Sequence, residues 1–345
     1  MANKQSTLDK DCIVKIVMLG ATGVGKTSLL AAMYPFLMSH FPGDDYKLVP
    51  EENTKNRLDE LAGKLNTLGE GGVLVSANES GIAGNPQVME LDFDLQYSGP
   101  GRKPFTEIKL KIWDLPGAYY TEEDGSQAIE LLNGADVTFW CIDSVSLMER
   151  SGNLNDKVNA AQKVINVLAN SNINSPHTFV VTLMRCEKWE QDDQDLRKSG
   201  RDAKRMRELF DGFEEEFAKP LIKICRDRRI GKVYYTAVQT TGNLRINSFD
   251  GDRPQFIRHQ GQTYMPTNCE LPVLCAVQQS MDTVINKSRN TLERIRHIPF
   301  VRLFSLAYWK AKARIKRLKK QLPIIEQAIT THVEKIEADK RLFEW

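Results

Sequence analysis

The spacing of hydrophobic positions changes from strand-like to helix-like within the first forty residues. The run CIVKIVML at 12–19 is apolar and rich in β-branched residues, and glycines follow it, which predicts a buried strand that ends in a tight turn. Apolar residues then recur every three to four positions and predict a helix over 27–37. The predicted order is therefore strand, glycine-rich loop, helix.

Two alternating runs further along the chain predict an antiparallel hairpin. In 88–97 and in 107–113 every second residue is apolar, and a turn rich in glycine and proline separates the two runs. Later patterns predict buried strands at 137–142, 178–184 and 232–236, helices at 153–169, 201–226 and 271–287, and a surface hairpin within 243–266.

Strands that alternate with helices predict an α/β fold with a mostly parallel sheet, because crossover helices join parallel strands. The hairpin adds an antiparallel pair to that sheet. A long polar stretch at 40–87 interrupts the alternation; it predicts a helix around 53–65 and contains a glycine-rich run at 69–72.

Charge is distributed unevenly, although the whole chain carries a net charge of only +2. The last 63 residues, 283–345, hold 15 Lys/Arg and 6 Asp/Glu and so carry +9. The remaining 282 residues hold 32 basic and 39 acidic side chains and carry −7. A basic tail on a mildly acidic body indicates two separate roles.

Composition narrows the class of protein. No apolar run approaches the roughly 18 residues of a membrane-spanning helix, and residues 1–10 lack the apolar core of a secretory signal. The six cysteines form no C-x-x-C pair and only five histidines are present, so neither a zinc site nor a disulfide framework is expected. These features predict a cytoplasmic protein with reduced thiols.

A phosphate-binding motif follows the first predicted strand. Residues 20–27 match G-x-x-x-x-G-K-[ST], and Ser28 comes next. Glycines let successive backbone N–H groups line one concavity, and the following helix start favours an anion. In this motif the lysine reaches the β- and γ-phosphates and the hydroxyl of the last residue ligates magnesium. The predicted nucleotide-binding residues of this motif are Gly20, Ala21, Thr22, Gly23, Val24, Gly25, Lys26, Thr27 and Ser28.

A second motif, WDLPG at 113–117, ends the second strand of the predicted hairpin. An aspartate at the end of a strand beside the loop strand suits a magnesium-bound water, so Asp114 and Thr27 are the predicted metal ligands. Gly117, three residues later, is predicted to direct its backbone N–H at the γ-phosphate. Lys26, Thr27 and Gly117 are therefore the predicted catalytic residues.

With these motifs and the hairpin, the sequence resembles the Ras-like P-loop GTPases, in particular bacterial GTPase domains of the TRAFAC clade. The resemblance covers about residues 12–290. It implies a three-layer fold with a mixed, mostly parallel six-stranded sheet, binding of GTP and GDP with magnesium, and a switch between two states. The domain prediction is a GTPase domain over 1–290, with a long first-switch insertion at about 40–87, and a basic amphipathic helical extension over 291–345.

The resemblance also implies where the base is recognised. At the position of the family's [NT]-K-x-D motif this chain has Met184, Arg185, Cys186 and Glu187. Arg185 is suited to stacking on a purine and Glu187 to accepting its N–H groups, whereas the first polar side chain of the motif is missing. Thr236 and Ala237 resemble the turn whose backbone contacts the base.

Two features of the family are missing. No threonine stands where the first switch supplies one to magnesium; Ser76, Ser80 and Asn85 are the candidates. Ala118 occupies the position where Ras-like proteins orient water with glutamine. Slow hydrolysis, accelerated by a protein partner, is therefore expected.

The tail has three interpretations. The segment 300–320 holds eight Lys/Arg and no acid among aromatic and aliphatic residues. In the first, it packs on the body, either alone or as a helical hairpin with 324–342 that turns at Pro323. In the second, it lies peripherally on an anionic membrane. In the third, it binds a protein partner or, as the weaker alternative, nucleic acid.

Three functions follow. The leading hypothesis is a GTP-dependent switch with slow hydrolysis. The alternatives are an ATP-binding or ATP-hydrolysing P-loop protein, and a non-catalytic scaffold that nucleotide stabilises and that acts through its basic tail.

Overall fold

The structure is a computed structural model. It describes residues 12–68, 75–76, 87–101, 103–120, 125–148, 154–173, 177–186, 208, 211–228, 232–242, 244–250, 253–258, 263–296 and 306–337.

The strands are β1 (Ile13–Leu19), β2 (Tyr46–Pro50), β3 (Val75–Ser76), β4 (Met89–Tyr97), β5 (Phe105–Asp114), β6 (Val137–Asp143), β7 (Thr178–Met184), β8 (Lys232–Ala237), β9 (Leu244–Asp250) and β10 (Arg253–Arg258). The α-helices are α1 (Lys26–His40), α2 (Glu52–Thr67), α3 (Ser126–Asn133), α4 (Ser144–Met148), α5 (Leu154–Val158), α6 (Ala161–Asn170), α7 (Lys219–Asp227), α8 (Leu271–Arg296) and α9 (Leu306–Glu337). A 3₁₀ turn spans Gly117–Tyr120, and a π-helical segment, Glu214–Ala218, precedes α7.

Within the described residues the main sheet has seven strands in the order β2-β4-β5-β1-β6-β7-β8. The strands β5, β1, β6, β7 and β8 pair in parallel, whereas β4 is antiparallel to both of its neighbours. The predicted hairpin is therefore confirmed as β4 and β5. The second predicted hairpin is β9 and β10, which form a small separate sheet with β3.

The buried side chains of β1 show how the sheet separates two hydrophobic cores. Ile16 and Met18 belong to the core under α1 and α8, and Val17 and Leu19 belong to the core under α3 and α6. Successive strand residues point to opposite faces, so a continuous apolar run requires cover on both sides. Helices therefore pack on both faces of the sheet.

The predicted strand number was wrong, because the structure has seven strands in the main sheet instead of six. The additional strand is β2, which lies inside the polar stretch at 40–87 and pairs with β4 at the edge of the sheet. Only Tyr46 and Leu48 of its five residues are buried, so its apolar pattern is too short to stand out. The helix predicted around 53–65 is confirmed as α2.

The helix predicted over 153–169 is in fact two helices, α5 and α6. Ala160 separates them with a φ of 47°, a left-handed conformation that ends a right-handed helix. The helix is interrupted there without a glycine or proline to mark it, and for this reason the apolar spacing alone predicted one continuous helix.

The basic tail forms α9, a helix of 32 residues that packs along α8. Leu318, Ile325 and Ile329 of α9 are buried in the core under α1 and α8. The alternative of a helical hairpin that turns at Pro323 is wrong, since Pro323 lies inside the helix and on its exposed side. Packing on both sides of that position maintains the helix despite the missing N–H group.

Glu107 on β5 fixes α9 to the sheet. Its carboxylate is 1% exposed and accepts hydrogen bonds from Arg314 Nε at 3.1 Å and from Arg317 Nε at 2.6 Å and Nη2 at 2.8 Å. Gln321 adds a hydrogen bond from Nε2 to the carbonyl oxygen of Pro42 at 2.6 Å. Two of the arginines in the basic segment are thus used within the molecule. No helix among the described residues is long and apolar enough to cross a membrane.

Candidate functional site

The loop at 20–27 joins β1 to α1 and depends on three glycines. Gly20, Gly23 and Gly25 have φ values of 143°, 86° and 103°, a region that other residues rarely occupy. A Cβ atom on Gly20 would lie 2.7 Å from the carbonyl oxygen of Cys141 on β6, so this position also lacks space. Gly25 directly precedes α1, whose first N–H groups have no partners within the helix.

The other residues of the loop differ in exposure. Ala21 and Val24 are buried beneath the loop, whereas Thr22 is exposed and Ser28 is half-buried in the first turn of α1. A loop with a buried underside and an exposed rim is suited to holding a ligand against its backbone.

The ammonium group of Lys26 lies inside the loop. Its side chain is buried, and Nζ donates hydrogen bonds to the carbonyl oxygens of Gly20 at 2.5 Å and Ala21 at 3.2 Å. Burial lowers the pKa of Lys26, and the nearby Asp114 carboxylate opposes that shift. A cation is thus held in the concavity where the motif predicts phosphate.

Asp114 ends β5 and lies next to the loop because β5 pairs with β1. The hydroxyl of Thr27 donates to Asp114 Oδ2 at 2.6 Å. Burial raises the pKa of Asp114, and the charge of Lys26 opposes the shift. The other carboxylate oxygen, Oδ1, is buried and has no hydrogen-bond partner among the described residues. A buried oxygen without a partner is costly, so this atom is available to a cation or to a metal-bound water.

The residues at this position fit magnesium. A hydroxyl and a carboxylate are hard oxygen ligands, and Mg²⁺ usually takes few ligands from protein while retaining water and phosphate oxygens. The described residues contain no group of three or more His, Cys, Asp or Glu side chains that could hold a metal by themselves. A metal bound by Thr27 and Asp114 would therefore complete its coordination with water or phosphate oxygens.

Gly117 lies directly against the loop. A Cβ atom at this position would be 2.0 Å from the backbone nitrogen of Thr22 and 2.2 Å from its Oγ1. Only glycine permits this approach. The chain after β5 therefore meets the rim of the loop at Gly117, and the 3₁₀ turn that includes Ala118 starts at this contact.

The segment after β7 reaches the loop from the other side. The guanidinium of Arg185 donates a hydrogen bond to the carbonyl oxygen of Gly23 and forms an ion pair with Asp143 at 3.1 Å between Nη1 and Oδ1. Arg185 is 5% exposed and has a φ of 60°. Its guanidinium is therefore bound to protein groups at the loop rather than presented as an open stacking plane.

The remaining predicted base contacts have different outcomes. Glu187 lies outside the described residues. Thr236 and Ala237, which resemble the turn that contacts the base, lie in β8 instead of a turn, and the strand pairs them with Thr182 and Leu183. The Thr236 hydroxyl is buried, 3.1 Å from Thr182 Oγ1. β8 is thus one residue longer than the strand predicted at 232–236, and the contact between the two threonine hydroxyls lies inside the sheet.

Of the three candidates for the missing first-switch ligand, the structure describes Ser76. Ser76 lies in β3, where it pairs with Gln255 in the small sheet. Ser80 and Asn85 lie outside the described residues.

Sequence reasoning missed Arg57, an exposed residue on α2. Its Nε donates to Met89 Sδ at 2.9 Å, and Met89 is the cross-strand partner of Asp114. The charge of Arg57 contributes to lowering the pKa of Asp114, against the larger effect of burial. Arg57 lines a polar cleft of about 500 Å³ together with Asn53, Asn56, Glu60, Gln87, Val88, Met89 and Glu90. No motif marks Arg57, because only the packing of α2 on β4 brings it to this edge.

The strand, glycine loop and helix, within a mostly parallel sheet, define a P-loop-like α/β fold.

No protein-family model matches the chain. No curated protein matches it in sequence. Among solved structures it is similar to the GTPase-like domain of S. cerevisiae Ski7 bound to GTP, with 16% identity and a TM-score of 0.30. The match covers 69% of this chain and 46% of the yeast chain, less than half its length. Function is therefore inferred from the geometry of the site.

Proposed function

We propose that this protein binds GTP with Mg²⁺ at the loop 20–28 and hydrolyses it slowly. One observation carries the proposal: the Thr27 hydroxyl and the Asp114 carboxylate meet at 2.6 Å beside the buried ammonium of Lys26. These three groups come from two separate motifs, 87 positions apart between Thr27 and Asp114. A cation, a hydroxyl and a buried carboxylate beside a glycine loop suit a magnesium–triphosphate complex.

The residues have separate roles in this proposal. The loop amides and Lys26 hold the β- and γ-phosphates, and Thr27 and Asp114 hold the metal. Bound magnesium neutralises charge on the phosphates. Gly117, beside Thr22, contributes its backbone N–H to the γ-phosphate.

Hydrolysis also needs positive charge on the γ-phosphate side, and we propose that Arg57 supplies it in cis. Arg57 contacts Met89, which lies directly opposite Asp114 on the neighbouring strand β4, and this contact supports the role. Ala118 has no side chain that can orient water, so the intrinsic rate is expected below about 0.1 per second.

In this proposal Glu187 reads the guanine ring. Arg185, whose guanidinium is bound to Gly23 and Asp143, holds the segment after β7 beside the loop instead of stacking on the base. In the same proposal, segments 70–86 and 117–125 respond to the γ-phosphate and signal to a cytoplasmic protein partner. ATP binding is the alternative if the base motif does not discriminate.

Calorimetry with GTP and with ATP, both with Mg²⁺, tests the proposal. Thr27→Ala is expected to weaken GTP binding at least tenfold in magnesium, and Thr67→Ala, an exposed threonine at the end of α2, is the matched control. Glu187→Ala is expected to remove the preference for GTP.

The outcomes separate the alternatives. Equal binding of ATP and GTP contradicts the guanine assignment. Absence of binding to either nucleotide contradicts the whole proposal, and binding without any turnover favours the scaffold.

A further inference from the structure

The outward face of α9 carries a row of lysines. Trp309, Lys312, Lys316 and Lys319 recur every three to four residues, so they lie on one side of the helix. All four are exposed, whereas Leu318 and Ile325 on the opposite side are buried. We call Trp309, Lys312, Lys316 and Lys319 the lysine face.

The lysine face is not neutralised by the part of the molecule that the structure describes. Arg314 and Arg317 bind Glu107, and Lys320 binds Asp45 at 2.7 Å. No described acidic side chain forms an ion pair with Lys312, Lys316 or Lys319. The segment 306–320 contains seven Lys/Arg and no Asp or Glu, so the field of this surface is positive.

Two large apolar side chains adjoin this charge. Trp309 is 51% exposed and Leu306 is 68% exposed, both near the start of α9. The ammonium of Lys312 lies 5.4 Å from the centre of the Trp309 ring. Tryptophan favours the headgroup level of a bilayer, and lysines favour anionic lipid phosphates.

The shape of the surface identifies the partner. The lysine face extends along about 15 Å of helix from Trp309 to Lys319, and the opposite side of that helix is packed on the body. A row of exposed cations that is fixed along one side of a packed helix can contact an extended anionic surface along its whole length. The geometry points to an anionic lipid bilayer as the partner, bound through the lysine face with Trp309 at the headgroups.

This mode of binding differs from the one that the amphipathic sequence predicted. Leu318, one of the apolar residues of the segment 300–320, is buried against the body and cannot insert into a bilayer. Binding is therefore mainly electrostatic and must weaken as salt shortens the screening length from about 10 Å at 0.1 M to about 3 Å at 1 M. It does not depend on the proposed nucleotide function.

Vesicle flotation of the full chain tests the inference. The protein is expected to float with vesicles that contain phosphatidylcholine and phosphatidylserine. It is not expected to float with vesicles of phosphatidylcholine alone. Lys312→Glu/Lys316→Glu/Lys319→Glu is expected to lower partitioning by about 100-fold, at about fivefold for each lysine removed. Trp309→Ser is expected to lower it further at constant charge.

The matched control is Lys163→Glu/Lys219→Glu/Lys223→Glu, which makes the same charge change on α6 and α7. All three lysines are exposed, and their helices cover the other face of the sheet from α9. Unchanged thermal unfolding of both triple variants shows that folding is intact.

Three results overturn the inference. They are no flotation of the wild-type chain, equal loss in both triple variants, and flotation that neutral lipid supports equally well. Binding of the wild-type chain to duplex DNA or RNA in place of vesicles would assign the lysine face to nucleic acid instead.

Discussion

At the residue scale, Asp114 connects the burial of the site to its chemistry. Its carboxylate is almost fully buried, one oxygen is bound to Thr27, and the other has no partner among the described residues. Burial raises the pKa of Asp114 more than the neighbouring charge of Lys26 lowers it. The negative charge is therefore costly unless a second cation binds beside it. Bound magnesium would offset this cost, and ligand binding would then stabilise the folded state.

Arg57 carries the first prediction at this scale. Arg57→Ala is expected to lower the single-turnover rate of GTP hydrolysis by at least about tenfold, because an arginine at the γ-phosphate stabilises transition-state charge. Nucleotide affinity should change by less than about threefold, since a contribution confined to the transition state leaves ground-state binding nearly unchanged. Quenched hydrolysis assays and calorimetry provide the two numbers.

Lys55→Ala is the matched control, because Lys55 lies on the same helix and, among the residues that the structure describes, forms its ion pair with the exposed Asp59. An equal loss of rate in both variants would mean that α2 acts as a structural element and that Arg57 has no specific role. Normal hydrolysis by Arg57→Ala would exclude it from the reaction and leave the nucleotide-binding proposal intact.

At the element scale, the position of α9 depends on one buried carboxylate. Glu107 lies beneath Arg314 and Arg317, and Arg317 also lies over the rings of Tyr97 and Phe105 at 5.3 Å and 5.0 Å. Planar guanidinium groups suit such stacked and paired contacts better than lysine does. The arginines of the tail thus attach the helix, while the lysines face outward.

Glu107→Gln is expected to lower the free energy of unfolding by about 3 kcal/mol, because it leaves two partly buried arginines without their counter-charge. Urea unfolding measures the change. Glu90→Gln is the control: its pair with Lys111 is exposed, so a loss below about 1 kcal/mol is expected. Equal effects in the two variants would show that Glu107 does not fix α9.

At the scale of the whole molecule, buried His177 links folding to pH. Its Nδ1 donates to the carbonyl oxygen of Ala135 at 3.0 Å, and its Nε2 accepts from the Thr138 hydroxyl at 2.9 Å. Both contacts suit a neutral ring. Burial lowers the pKa of His177 from 6.5 to about 4.

The unfolded chain therefore binds a proton between pH 6.5 and about 4 that the folded protein does not bind. Stability is fully present above pH 6.5 and falls as the pH decreases through this window, by about 3 kcal/mol from this residue. Urea unfolding at several pH values measures the fall. His177→Gln removes this titration, so the free energy of unfolding of the variant should fall by about 3 kcal/mol less than that of the wild type between pH 6.5 and about 4. An unchanged slope would contradict the assignment.

Much of the fold and the centre of the site could be predicted because the relevant signals are local. β1, the loop and α1 are contiguous, and each of them carries its own periodicity or turn chemistry. Asp114 and Gly117 could be predicted because a strand end and a tight turn mark them. Neighbouring residues are sufficient to determine such features.

Contacts between distant segments could not be predicted in the same way. The pairing of β2 with β4, the approach of Arg57 to Met89 and the position of Arg185 under Gly23 carry no local signal. Glu107 and Arg317 are 210 positions apart, and their pairing decides which face of the basic helix remains outside. The amino-acid sequence by itself determined the longer strands of the main sheet, the loop and the amphipathic tail, since periodicity and turn chemistry act over a few residues. Only the tertiary structure decided which charges are buried, because burial depends on which segments pack together.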